Sequence, residues 1–107
     1  LTALGSTMRD IEKMKLGDLI FAARKGRLSD VVLLLQDKSL DPSDRMNYPI
    51  QSAAIAGNIE IVKLLLHDKR VDPADADNYA IRHAANHERL DVFNLLWHFD
   101  SIREYYE

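Results

Sequence analysis

A pair of alanines recurs three times, as Ala22-Ala23, Ala53-Ala54 and Ala84-Ala85, each pair 31 residues from the last. Other residues keep the same step. Leu33-Leu34-Leu35 returns as Leu64-Leu65-Leu66 and then as Leu95-Leu96-Trp97. Asp37-Lys38 returns as Asp68-Lys69, and Asp41-Pro42 as Asp72-Pro73. A period of this size means stacked supersecondary units, none of which buries its apolar face alone. This excludes most other architectures for a chain of 107 residues, which is long enough for a single domain.

Each unit reads as two helices. In the second unit Pro49 suits a first helical turn, where its missing N–H costs nothing. Ile50, Ala53 and Ala54 mark one face at helical spacing. Gly57 ends that helix, since glycine enters the left-handed region most cheaply. Asn58 is expected to cap the next helix, whose buried stripe is Ile59, Val62, Leu65 and Leu66. Asp72-Pro73 closes the unit. The alanines let neighbouring helices approach closely, so Ala53, Ala54, Ala84 and Ala85 are expected in the packing. The expected core is Ala22, Ala23, Leu34, Ile50, Ala53, Ala54, Val62, Leu65, Ile81, Ala84 and Leu96. In the third unit Glu88 stands where Gly26 and Gly57 stand. At positive φ that exchange costs about 1 kcal/mol.

These residues resemble the ankyrin repeat, which reads roughly T-P-L-H-x-A-A-x-x-G-H-x-E-V-V-x-L-L-L. Tyr48-Pro49-Ile50-Gln51-Ser52-Ala53-Ala54 matches its first half, and Gly57-Asn58-Ile59-Glu60-Ile61-Val62-Lys63-Leu64-Leu65-Leu66 its second. Asp18 to Leu35 is similar to an N-terminal capping repeat. The period of 31 is shorter than the family's usual one, and the glycine of its hairpin turn is missing near Met46 and Asp77. The linkers are therefore expected to be plain short loops. The DNYAIR phrase with its VDP linker is similar to ankyrin proteins of giant viruses, amoebae and amoeba-dwelling bacteria.

The expected fold is an all-α, ankyrin-type helix-turn-helix repeat solenoid with short loops. Residues 1–15 read as an N-terminal extension or cap, 16–46, 47–77 and 78–99 as three repeats, and 100–107 as a C-terminal cap. Ser6 or Thr7 can cap a leading helix with Met8, Ile11 and Met14 on one face. At the other end Ile102, Tyr105 and Tyr106 are expected to pack on the third unit and shield Trp97. The other possibility is that the natural chain continues and covers that end itself.

Composition narrows the function. The net charge is −3 with acids and bases interspersed, which argues against the nucleic-acid phosphate backbone as a partner. With no cysteine there is no disulfide framework and no thiolate site. The apolar runs are far shorter than the ~20 residues of a membrane span, so no membrane insertion is expected. The opening LTALGSTMRD lacks the blocks of a signal peptide, and an intracellular location is expected, in the cytoplasm or in a host's cytosol.

No phosphate-cradling glycine loop is present, and no cofactor is expected. His83 and His87 stand four apart on one helix, a spacing that can hold a metal. With no partner ligand specified, they read as surface histidines. Ser52 and His83 occupy equivalent positions on neighbouring units, but no third group orients them, so no catalysis is expected. Asp41, Asp44, Asp72, Asp75 and Asp77 gather in the linkers, where aspartate makes turns.

The resemblance implies a protein-interaction module binding another protein through its concave first-helix face and linker tips. By position the contact residues are Phe21, Arg24 and Lys25, then Ser52 and Ile55, then His83, Asn86 and His87. Arg45, Met46, Asp75 and Asp77 lie on the tips. The alternative is a structural or positioning fragment of a longer scaffold or effector.

Overall fold

The computed structural model describes residues 8–106, with side chains described over 13–99. Six helices follow one another: α1 (Met8–Lys25), α2 (Leu28–Leu35), α3 (Asp44–Ala56), α4 (Ile59–Leu66), α5 (Asp75–Asn86) and α6 (Leu90–Tyr106). There is no strand among the described residues. They form three pairs stacked in sequence. The first helices pack α1 on α3 and α3 on α5, and the second helices pack more sparsely behind them. The stack measures 48 × 29 × 22 Å.

The repeat explains the core. Ala22, Ala23, Ala53, Ala54 and Ala84 are almost fully buried, with Leu16, Leu19, Ile50, Ile61, Val62, Leu65, Val92 and Leu96 around them. Alanine at these places lets neighbouring first helices approach closely, so each unit is roofed by the next. Leu40 and Val71, the last apolar residues before each Asp-Pro, plug the core from the loops. Lys15 reaches from α1 to Asp37 in the loop after α2. That ammonium, with help from Ser39, holds the Asp37 carboxyl down to about 2.

Three expectations about packing need correction. Ala85 is exposed and Ile81 only half-buried, because both lie on the side of α5 that no further unit covers. Leu34 is half-buried for the mirror reason at the other end of the stack. In α4 the buried stripe is Ile61, Val62 and Leu65, with Ile59 and Leu66 at its edges.

The first helices end alike. The backbone N–H groups of Arg27, Asn58 and Arg89 donate to the carbonyls of Ala22, Ala53 and Ala84, at 2.9, 2.9 and 2.8 Å. This closure needs a left-handed residue just before the donor. Gly26 and Gly57 supply it at φ +79, and Glu88 does so at φ 58. Glu88 is exposed, so its side chain compensates little for that strain. Glu88→Gly is expected to stabilise the protein by about 0.5–1 kcal/mol, read as a raised thermal midpoint. A lowered midpoint would mean that the third unit relies on the glutamate.

Asn58 does not cap its own helix; α4 starts without a side-chain cap bond. Its amide nitrogen turns back to the preceding unit and donates to the carbonyls of Ala23 (2.7 Å) and Arg24 (3.3 Å). Arg89, at the equivalent place, donates to the carbonyl of Ile55 at 2.9 Å. Each thus satisfies carbonyls at the C-terminus of the preceding first helix, which carry no intrahelical partner. The arginine adds a favourable positive charge there.

α1 runs unbroken from Met8, but Met14 is 67% exposed. The placements of Ser6 and Thr7, and the side chains of Met8 and Ile11, lie outside the described residues. α6 continues as one helix to Tyr106. The side chains of Ile102, Tyr105 and Tyr106 also lie outside them, and Trp97 is 57% exposed.

Candidate partner-binding surface

The loop tips are more ordered than plain connections. Arg45, Met46 and Asn47 all take left-handed backbone conformations, with φ of 54, 58 and 64. Ala76, Asp77 and Asn78 repeat this at 55, 57 and 60. Consecutive left-handed residues without glycine are costly, so something must hold them. Two devices do so in both units. The Asp44 carboxylate accepts from the Arg45 N–H at 2.8 Å, and Asp75 from the Ala76 N–H at 2.7 Å. At the far side Gln51 donates to the Met46 carbonyl (2.6 Å) and Arg82 to the Asp77 carbonyl (2.9 Å). Gln51 and Arg82 are repeat equivalents, different residues performing one task. Regular helix resumes at Tyr48 and Tyr79, with Pro49 in the first turn.

Asn47 locks one tip to the next. It is 3% exposed. Its amide nitrogen donates to the Asp75 carboxylate at 2.9 Å, and its oxygen accepts from the Asp72 N–H at 2.8 Å. The Asp75 carboxylate is therefore occupied within the fold. Arg45 and Asp77 are exposed, and Met46, at 61% exposure, is the apolar residue of the tips.

The first helices bring Phe21, Ser52 and His83 to equivalent places across the stack. Ser52 is nearly buried at 7% exposure, and Ile55 is half-buried. Both are less accessible than their equivalents in the two end units. In unit three the His83 ring stacks on Tyr79, with centroids 4.0 Å apart, and tilts toward His87 at 6.3 Å. His87 Nδ1 donates to the His83 carbonyl at 2.8 Å. Among the described residues no three His, Cys, Asp or Glu side chains come together as a metal site would require. Asn86 is exposed on the uncovered side of α5.

In unit one Phe21 is 42% exposed. Three cations surround its ring: Arg24 at 5.5 Å, Lys25 at 5.8 Å and Arg27 at 5.4 Å from the centroid. None of the three makes an ion pair with a described carboxylate. Arg27 was not singled out from the sequence. The signal was there, since it is the repeat equivalent of Asn58 and Arg89 but has no preceding unit to bond among the described residues. Tyr48 and Tyr79 also stand at equivalent places, each following an asparagine, and Tyr48 is 43% exposed.

A family model for ankyrin repeats, in three copies, matches residues 19–103. The chain belongs to the ankyrin-repeat family. No curated protein and no solved structure matches it. Ankyrin repeats generally serve as protein–protein interaction modules, and this one presents tips fixed by hydrogen bonds together with a mixed aromatic and cationic first-helix face. No helix among the described residues is long and apolar enough to cross a membrane.

Proposed function

We propose that this ankyrin-repeat chain binds another protein through its first-helix face and loop tips, and that an acidic segment of that partner seats at Phe21. The observation that supports this is the cluster of Arg24, Lys25 and Arg27 around a half-exposed aromatic ring. Three like charges gathered on one ring repel one another, and a chain of net charge −3 has carboxylates to spare elsewhere. Partner carboxylates relieve that repulsion while an apolar partner side chain covers Phe21. Exposed aromatics and arginines are the residue types in which interface energy concentrates. Met46 and the His83–His87 row extend the surface toward units two and three.

The test is a selection from a random peptide library on the native protein and on a variant carrying Arg24→Glu, Lys25→Glu and Arg27→Glu. The native protein is expected to enrich peptides with several Asp or Glu around an apolar residue. The variant, folded by circular dichroism, should bind them at least tenfold more weakly. The native complex should weaken as salt is raised through the range where the Debye length shrinks below ~10 Å. Enrichment without acidic bias would count against the acidic partner. If the library gives nothing, the second reading gains: a stack that positions another domain, favoured by the uncovered Trp97.

A further inference from the structure

The two ends of the stack differ in kind. In unit two the side that meets unit three is sealed: Ile50, Ala54 and Val62 are 1%, 0% and 0% exposed. Their equivalents in unit three are Ile81, Ala85 and Phe93, and none of these is buried. Together with Trp97 and Asn78 they line an open groove of about 650 Å³. Phe93 and Trp97 stack within it, with centroids 6.1 Å apart and planes at 11°, and together form the aromatic plate of this face. α6 passes this plate without a break and runs on to Tyr106. Asn78 is the repeat equivalent of Asn47, yet its amide has no partner among the described residues.

The opposite end carries charge at its centre. Asp18 and Asp30 are exposed there, where unit two has buried Pro49 and Ile61 and unit three has buried Ala80 and Val92. Seating that end on the aromatic plate would strip water from two carboxylates against an apolar centre, where the facing rim offers the single cation Arg82 and the further acid Asp77. Head-to-tail growth of copies is thereby disfavoured.

We propose that the uncovered face of unit three pairs with the same face of a second copy, in a closed two-fold dimer. A two-fold interface uses one surface twice, so it must be self-complementary. This face meets that condition. Its rim carries one acid and one base, Asp77 and Arg82, which sum to zero and face each other crosswise when the surface is paired with itself. Asn78 and Asn86 are amides, and an amide both donates and accepts, so like pairs with like. The aromatic plates supply the apolar centre.

Sedimentation of the whole chain over micromolar to millimolar concentrations tests this. A monomer–dimer equilibrium is expected, with the emission of Trp97, the chain's sole tryptophan, shifting to the blue as dimer forms. Charge exchange then tests the geometry. Asp77→Lys leaves two positive residues on the rim and Arg82→Glu leaves two negative ones, so each variant alone should dimerise at least tenfold more weakly. Mixed in equal amounts they should form a heterodimer, because each then meets its opposite. Ala85→Arg, at an exposed position, should abolish pairing without loss of helicity. The proposal fails if the native chain stays monomeric at millimolar concentration. It fails equally if Ala85→Arg leaves the dimer intact, or if larger, open-ended assemblies form instead.

Discussion

Asn47→Ala is expected to lower the unfolding free energy by roughly 2–4 kcal/mol, the largest effect of any exchange considered for the loops. The side chain is 3% exposed, and its loss removes two hydrogen bonds that join unit two to the following loop. The Asp75 carboxylate is left without its amide donor, and bonds to charged groups are the costlier ones to remove. Alanine must also hold φ near 64, which asparagine tolerates better. Asn78→Ala is the internal control. It sits in the same backbone conformation at φ 60, without the bridge among the described residues. Its cost should be about 1 kcal/mol. Urea titration of both variants measures the difference, and equal losses would show that the bridge contributes nothing.

Ala54→Leu is expected to cost roughly 1–3 kcal/mol by overpacking, while Ala85→Leu should be close to neutral. The two positions are 31 apart in sequence and equivalent in the repeat. They differ only in what lies over them. Ala54 is 0% exposed beneath α5, and its methyl group leaves no room for three more carbons. Ala85 is on the open side of unit three. Thermal melts at low protein concentration separate the cases. An Ala54→Leu protein with an unchanged melt would refute the packing of α3 against α5.

The repeat was legible because it is a physical necessity written as spacing. Close helix packing demands alanine at Ala53 and Ala84, and a left-handed helix end demands glycine at Gly57, so both recur at fixed intervals. Even the exception at Glu88 could be read, since only the backbone geometry forces its φ. The exposure of Ala85 could not be read, because it depends on whether another unit covers it and not on Ala85 itself. The tips were opaque for another reason. Arg45, Met46 and Asn47 have no marked preference for three left-handed residues in a row. The conformation is imposed by Asp44 before them and Gln51 after them, and a local reading weighs each residue alone. Asn58 shows the same limit: a side chain well suited to cap its own helix serves its neighbour. Of the surface, the exposed Phe21 with Arg24 and Lys25 was visible as a pattern. Ser52 and Asp75 looked equally available, because nothing local betrays that one is nearly buried and the other engaged by Asn47.

The carbonyl bonds between units give the stack a direction of unravelling. The end of α1 is held by Asn58, and the end of α3 by Arg89. α5 receives no such donor from a following unit among the described residues, so its last turn is held only by bonds within its own unit. Opening therefore starts at unit three in the lone monomer. Once Arg89 is gone, the end of α3 has lost its own donor and is the next to fray. Amide exchange should be fastest in α5 and α6 and slowest where α1 meets α3, so that the chain melts as a zip fastener does, from one end, each opened unit releasing the catch of the one before it.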